Sequence, residues 1–398
     1  MLRAFVLASA DRGPRWYRGI PFCIACLLIA LWALPLQTLP AAAQFVCTTG
    51  DSAGVGDIAC SATGTATASG PGAIAVGTDS SATDANSLAA GTEATATGGG
   101  AAVGAFSTAL GGAAFGNTAD AGTSTSTAVG NGAEALGLNT TAVGTGASTG
   151  GGLITQATAL GAGASAAANS ATAVGFSSSA SGVGSIAVGD ASATGVNGIA
   201  LGTGASAGPG ENTIAIGTDA TTAANSTVAI GDGATVAAGA GPGSFAGGTS
   251  SVLGGDGAIS IGNLNQANGD GAVALGDQNS ATGNGAVAIG DPNIATGQGA
   301  VAVGADNTAT GQGAVALGNL NTATGQGAVA QGNQNTATGQ GAVALGNTSQ
   351  ANAAGSIAIG DTALADNTNA VAVGSGSVAS GLGSIAIGDA SSTGTNTI

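Results

Sequence analysis

Ten glycines, Gly262, Gly276, Gly290, Gly304, Gly318, Gly332, Gly346, Gly360, Gly374 and Gly388, follow one another every 14 residues without a slip. A short fixed period with glycine in fixed slots points to a solenoid, in which one coil stacks on the next. The unit is plain in Gly311-Gln312-Gly313-Ala314-Val315-Ala316-Leu317-Gly318-Asn319-Leu320-Asn321-Thr322-Ala323-Thr324. The same phrase recurs less strictly upstream, at Ala73–Gly77, Thr172–Gly175, Ser185–Gly189 and Thr213–Gly217, with an irregular insert over 237–253. Fourteen residues leave room for two short strands and two tight turns per coil. The AVALG segment, rich in β-branched residues, predicts one strand, and the NTAT segment the other. Glycine between them takes the positive φ that tight turns require. The expected fold is all-β: a parallel β-roll of about 14 residues per coil, with strands stacked about 4.8 Å apart.

Stacking turns each slot into a ladder. Val273, Val287, Val301, Val315, Val329, Val343, Ile357, Val371 and Ile385 form one. Leu275, Ile289, Val303, Leu317, Leu345, Ile359, Val373 and Ile387 form a second, interrupted by Gln331. The two ladders are two residues apart and share a face, while Ala272, Ala274 and their equivalents fill the other. Both faces of this strand are therefore apolar, and a thin coil has only one interior. The remaining face needs a partner, because an apolar stripe of that length exceeds what a soluble monomer exposes. Self-association along this sheet is the expected remedy, with these ladders serving as core or subunit interface.

Asn265, Asn279, Asn293, Asn307, Asn321 and Asn335 make a third ladder, expected to hydrogen-bond from coil to coil. Asp190, Asp232, Asp277, Asp291, Asp361 and Asp389 each follow the strand-ending glycine and are expected to cap turns through Asx hydrogen bonds. A calcium role would need converging carboxylates, and the GGxGxDxUx repeat is absent. No metal or other cofactor is expected.

All four basic residues, Arg3, Arg12, Arg15 and Arg18, precede position 19, and Asp11 is the only acidic residue before position 44. Phe22–Leu34 is an apolar run too short for the roughly 20 residues a membrane-spanning helix needs. Ala41-Ala42-Ala43 follows as a signal peptidase pattern, which predicts a signal peptide over 1–43, cleaved between Ala43 and Gln44. The rival reading, an uncleaved anchor, sits poorly with Pro35 and Pro40. The exported remainder holds no Lys, Arg or His and carries 19 acidic residues. It would repel nucleic acid and anionic lipid. It also lacks the imidazole and amine groups of triads, Schiff bases and His-based metal sites, so an enzyme is not expected. Cys23 and Cys26 leave with the signal peptide. Cys47 and Cys60 are expected to form a disulfide within an N-terminal segment, 44–70, ahead of repeats over 71–398.

Ser185-Ile186-Ala187-Val188-Gly189, Ser356-Ile357-Ala358-Ile359-Gly360 and Ser384-Ile385-Ala386-Ile387-Gly388, with second halves like xxSxATG, resemble the head repeats of trimeric autotransporter adhesins (the YadA-like head). The resemblance runs from about residue 70 to the end, although most coils carry Ala in place of the leading Ser. It implies a left-handed roll, a homotrimer around a common axis, and display on a Gram-negative cell surface for attachment to host extracellular matrix, cell-surface molecules or an abiotic surface. The family's coiled-coil stalk and C-terminal membrane barrel are not visible here. Asp389–Ile398 follows the path of Asp190–Ile199 and stops as a strand begins, so the sequence reads as truncated, with any membrane attachment left to a missing C-terminal anchor. The alternative is an ice-binding or other flat-surface solenoid, motivated by the pairs Thr308/Thr310, Thr322/Thr324 and Thr336/Thr338.

Overall fold

The computed structural model describes residues 56–61, 64–151 and 153–398. The proposed cleavage site at Ala43 and Gln44 lies outside them, as does Cys47; Cys60 is disulfide-bonded. The described residues form strands and turns and no helix.

Twenty-four strands, from Ile58–Cys60 to Ile385–Ile387, pair into one parallel sheet. The other side of the roll is a 6-stranded sheet from Thr67–Ala68 to Glu134–Ala135, then a 17-stranded sheet from Ser165–Ala166 to Ser391–Ser392. Only the bridges Glu134↔Ser148 and Ser148↔Ser165 span the gap between these two. The stack thus already includes Ile58–Cys60 and Thr67–Ala68, ahead of position 71. The chain is a parallel β-solenoid of about 24 turns and about 14 residues per coil. Equivalent slots meet in register: Val301 pairs with Val315, Val303 with Leu317, Gly304 with Gly318. Backbone hydrogen bonds join the coils, as from Val315 N to Ala328 O at 2.8 Å and Val329 N to Ala342 O at 2.8 Å.

Of the two apolar faces on the AVALG strand, the alanine face turns inward. Ala314, Ala316 and Ala323 are fully buried in one coil, and Ala328, Ala330 and Ala337 in the next. The Val and Leu ladders lie outside and are not core, which settles the choice that the pattern left open. The physical reason is thickness: two strands joined by tight turns leave a gap that methyl groups fill, and branched side chains would overpack it. The exceptions are Val236 and Leu253, both fully buried. They sit where the coil lengthens, Ala229 pairing with Ala246 seventeen residues on, and a longer coil encloses more space.

Close stacking also fixes the glycine that ends the first strand. Gly318 has φ 119°, and a Cβ there would overlap the carbonyl oxygen of Gly332 in the next coil. Left-handed backbone and lack of space both demand glycine here.

The asparagine ladder is buried and runs as expected. Asn307 Nδ2 shares its protons among Val303 O at 3.1 Å, Gly318 O at 2.7 Å and Asn293 Oδ1 at 2.9 Å. Its Oδ1 accepts from Asn321 N and Nδ2, both at 3.0 Å. The amide also reshapes the turn. At Ser80 the backbone N of the slot residue bonds back to the strand-ending Gly77 and the first strand has three residues, Ile74–Val76, whereas at Ala363, just past the amide run, no such bond forms and the strand keeps five, Ile357–Asp361. Where it holds Asn, the side chain closes the turn and the strand extends to five, as in Val315–Asn319. Ser349 ends the run with a hydroxyl doing the same job, to Leu345 O at 3.2 Å and Gly360 O at 2.6 Å.

The Asp residues after the glycine do not behave as Asx caps. Asp277 and Asp361 instead accept a side-chain amide from the preceding coil, from Asn263 and Asn347, each at 2.7 Å. Asp190, Asp232, Asp291 and Asp389 carry no side-chain hydrogen bond.

Removing the amide of Asn307 takes a side-chain donor from two part-buried carbonyls and leaves the buried Asn293 Oδ1 and Asn321 amide short of a partner, and unsatisfied buried groups cost about 1–3 kcal/mol each. Asn307→Ala is expected to lower stability in urea unfolding by about 2–4 kcal/mol. Asn307→Ser should recover part of it, as Ser349 does at the end of the run. Gly318→Ala should cost at least as much as Asn307→Ala, because backbone rather than a side chain must move.

Candidate interaction surfaces

With alanine, the Asn ladder, Val236 and Leu253 inside, most of the larger side chains lie on one of two outer sheet faces or on the turns. On the first sheet two outward columns run the length of the roll. One starts Ile58, Ile74, Leu88 and reaches Val371 and Ile385; the other starts Cys60, Val76 and reaches Val373 and Ile387. Val273, Leu275, Val287, Ile289, Val301, Val303, Val315, Leu317, Val343, Leu345, Ile357 and Ile359 stand in these columns in the predicted order. Most are half-buried by their neighbours above and below, but Ile230 remains 41% exposed and Ile387 67%. Neither column holds a charged residue, in a chain that carries 19 carboxylates and no Lys, Arg or His after position 43. Gln331 is the one break in the Leu column and is exposed in the single chain.

Three features of this face escaped the sequence pattern. Thr127, Thr141, Thr158 and Thr172 follow one another in consecutive strands where Ile or Val stands elsewhere. Phe245 and Gly247 share a strand, and a Cβ on Gly247 would lie 2.9 Å from the Phe245 ring, so the large side chain covers the gap left by the missing one. Phe115, 41% exposed, stands beside small Ala113 in the same way. The signal was present as a volume exchange within one strand, invisible to a reading that counts only apolar slots.

The second sheet presents hydroxyls. Thr67, Ser81, Thr95 and Thr108 stack in one column, and Ser165, Ser179, Ser192 and Ser206 continue it. The pairs Thr308/Thr310 and Thr322/Thr324 face outward in register, with Thr336 following, but Ile294 and Gln350 bound them. Asn307 and Ala309 point in, so the NTAT strand alternates as its pattern requires. On one turn edge Gln298, Gln312, Gln326 and Gln340 hydrogen-bond from coil to coil, each side-chain Nε2 donating to the preceding coil's Oε1 at 3.2–3.4 Å.

One coil breaks the turn. At Pro292 the slot lacks the N–H that equivalent residues such as Gln278 and Leu320 donate to the coil before. The orphaned carbonyl of Asp277 takes a contact from Asn279 Nδ2 at 3.2 Å, the only buried Asn to make one of this kind. A shallow cleft of about 230 Å³ results, lined by Gln278, Pro292, Ile294, Asp306, Asn307 and Thr308.

No group of three or more His, Cys, Asp or Glu among the described residues is placed to hold a metal ion. Asp120 stands beside Glu134 in register in the hydroxyl column. Burial pushes the Asp120 carboxyl above its ordinary range, and the charge of Glu134 adds to the shift. Asp120 Oδ1 is buried without a hydrogen bond. A carboxyl whose pKa is raised on folding favours the folded state while protonated, and that gain is lost as pH rises through the folded pKa. Asp120→Asn is therefore expected to raise the melting temperature at neutral pH, with the difference from wild type vanishing below about pH 4; thermal scans across pH would read it.

The profile of the YadA head domain repeat matches residues 68–94, 124–147, 155–178, 168–192, 193–208, 209–234, 254–279, 267–291, 295–321, 323–347, 337–363 and 365–391. Its longer gaps fall on the structural departures: the shortened coils near Phe106, the seventeen-residue coils at 142–159 and 229–246, and Pro292. No curated protein matches the chain. With more than half of its residues matched and the coil geometry following the matches, this chain belongs to the YadA head domain repeat family.

Proposed function

We propose that the chain is exported and acts as the trimeric head of a cell-surface adhesin, with three rolls packed through the first sheet and the second sheet turned outward. The observation that carries this reading is the charge-free apolar face running the whole length of a strongly acidic molecule. Identical copies repel through every other surface, and only here does desolvation favour contact. The outward hydroxyl and amide ladders repeat every coil, so binding to host matrix, cell-surface molecules or an abiotic surface would sum many weak contacts through avidity. About 24 coils at about 4.8 Å give a rod on the order of 110 Å. The flat-surface alternative rests on the Thr pairs, whose array spans three coils between Ile294 and Gln350, too short a patch to favour it.

The mature chain is expected to sediment at three times its own mass, with β-rich circular dichroism. Leu317→Asp/Leu345→Asp, which places carboxylates in the apolar column, should reduce it to a monomer. Coated on beads, the wild-type trimer should retain cells or matrix proteins and the double variant should lose most of that retention. A wild-type chain that stays monomeric, or a trimer that binds nothing in a broad panel, would sink the proposal.

A further inference from the structure

The apolar face of the first sheet is nearly the same in every coil, and this creates a problem for any parallel assembly built on it. Two copies slid past each other by one coil, about 4.8 Å, would still set Val against Val and Leu against Leu. Apolar burial is non-directional and cannot tell the two arrangements apart.

Phe115 beside Ala113 and Phe245 beside Gly247 vary this face in volume, and five polar side chains break the degeneracy in chemistry. Thr127, Thr141, Thr158 and Thr172 form one unbroken block in the first column, and Gln331 stands alone in the second. Among the described residues no hydrogen bond engages any of these five side chains. Their groups face outward, unspent, on the face that must be covered. Inside the same roll, buried Asn amides are satisfied partly by their own counterparts in the coils above and below, so self-pairing of identical polar groups is chemistry this chain already uses.

We propose that Gln331 and the Thr127–Thr172 block lock the register of parallel copies packed on the first sheet. In register, each Gln331 amide meets its counterparts at the same height, where donors and acceptors match. Slid by one coil, it faces Leu317 or Leu345 of a neighbour, and a terminal Thr of the block faces Ala113 or Ile186. A desolvated amide without a partner is strongly disfavoured. A single buried polar layer sets register in coiled coils by the same rule. The proposal rests on the oligomer reading above.

Disulfide trapping on the mature chain tests it. One population carries Val301→Cys and the other Val315→Cys, slots that are neighbours one coil apart. The two are refolded together and bridges are mapped by peptide mass, with a short bis-maleimide as a second cross-linker. On the wild-type background, like-with-like links (301 to 301, 315 to 315) should exceed crossed links at least tenfold. With Thr127→Val, Thr141→Val, Thr158→Val, Thr172→Val and Gln331→Leu added to both populations, crossed links should rise several-fold at unchanged oligomer mass. An unchanged ratio would overturn the lock. If the five-fold variant does not assemble, Leu317→Gln/Gln331→Leu moves the lone amide by one coil. Refolded with wild type, it should form mixed oligomers well below the statistical share, and statistical mixing would overturn the lock. A monomeric wild type, read by solution mass before any cross-linking, would instead remove the oligomer beneath it.

Discussion

Everything in this molecule follows from parallel pairing in strict register, in which each residue stacks on its own equivalent one coil away. A slot that suits one coil must suit its neighbours at about 4.8 Å, so each position is selected for self-compatibility. Alanine stacks on alanine in the interior, glycine on glycine where the backbone turns, and amide on amide where a polar group is buried. Ser or Asn can occupy the turn slot because each satisfies the strand-ending carbonyls, Ser349 through a hydroxyl and Asn307 through an amide. Large or charged residues mostly point away from the stack, with Val236 and Leu253 inside only where the coil lengthens.

The roll contains two chemistries under one repeat. From Asn265 to Asn335 the Asn spine binds each coil to the next through side chain as well as backbone, and the first-sheet strands there have four or five residues. From Ile74 to Val236 the strands have two or three residues and the slot holds Ser or Ala. The second sheet is also interrupted there, between Glu134–Ala135 and Ser165–Ala166. Local opening is therefore expected to be easier in the first part than in the second. Within the spine Pro292 shows how a defect is absorbed: the strand before it shortens to Val287–Gly290, and Asn279 turns toward the carbonyl that the missing N–H left behind.

Much of this was legible in the sequence. The period placed the two strands of each coil; that Asn307 and Ala309 are the residues of NTAT that turn inward came from the structure. The Asn ladder followed from its spacing. What the pattern could not decide was which face of Val315-Ala316-Leu317 turns inward, because that depends on the gap between the two sheets, a three-dimensional length that no one-dimensional period encodes. The partner of Asp277 was misjudged for a related reason: an Asx turn is local, whereas the amide of Asn263 arrives from fourteen residues away. Asp120 and Glu134 are also fourteen apart, but they fall outside the regular run, where coil length varies and register could not be counted forward.

An interior of alanine has one more consequence. Because no large side chain reaches across from one coil to interlock with a distant one, each turn of the roll depends only on the turn above and the turn below. Coils such as Val301–Thr310 and Val315–Thr324 are interchangeable parts. Gain or loss of a 14-residue unit in the gene would lengthen or shorten the rod by one step without requiring any compensating change elsewhere. The length of the roll thus becomes a quantity inherited by counting, open to adjustment through unequal recombination between near-identical repeats.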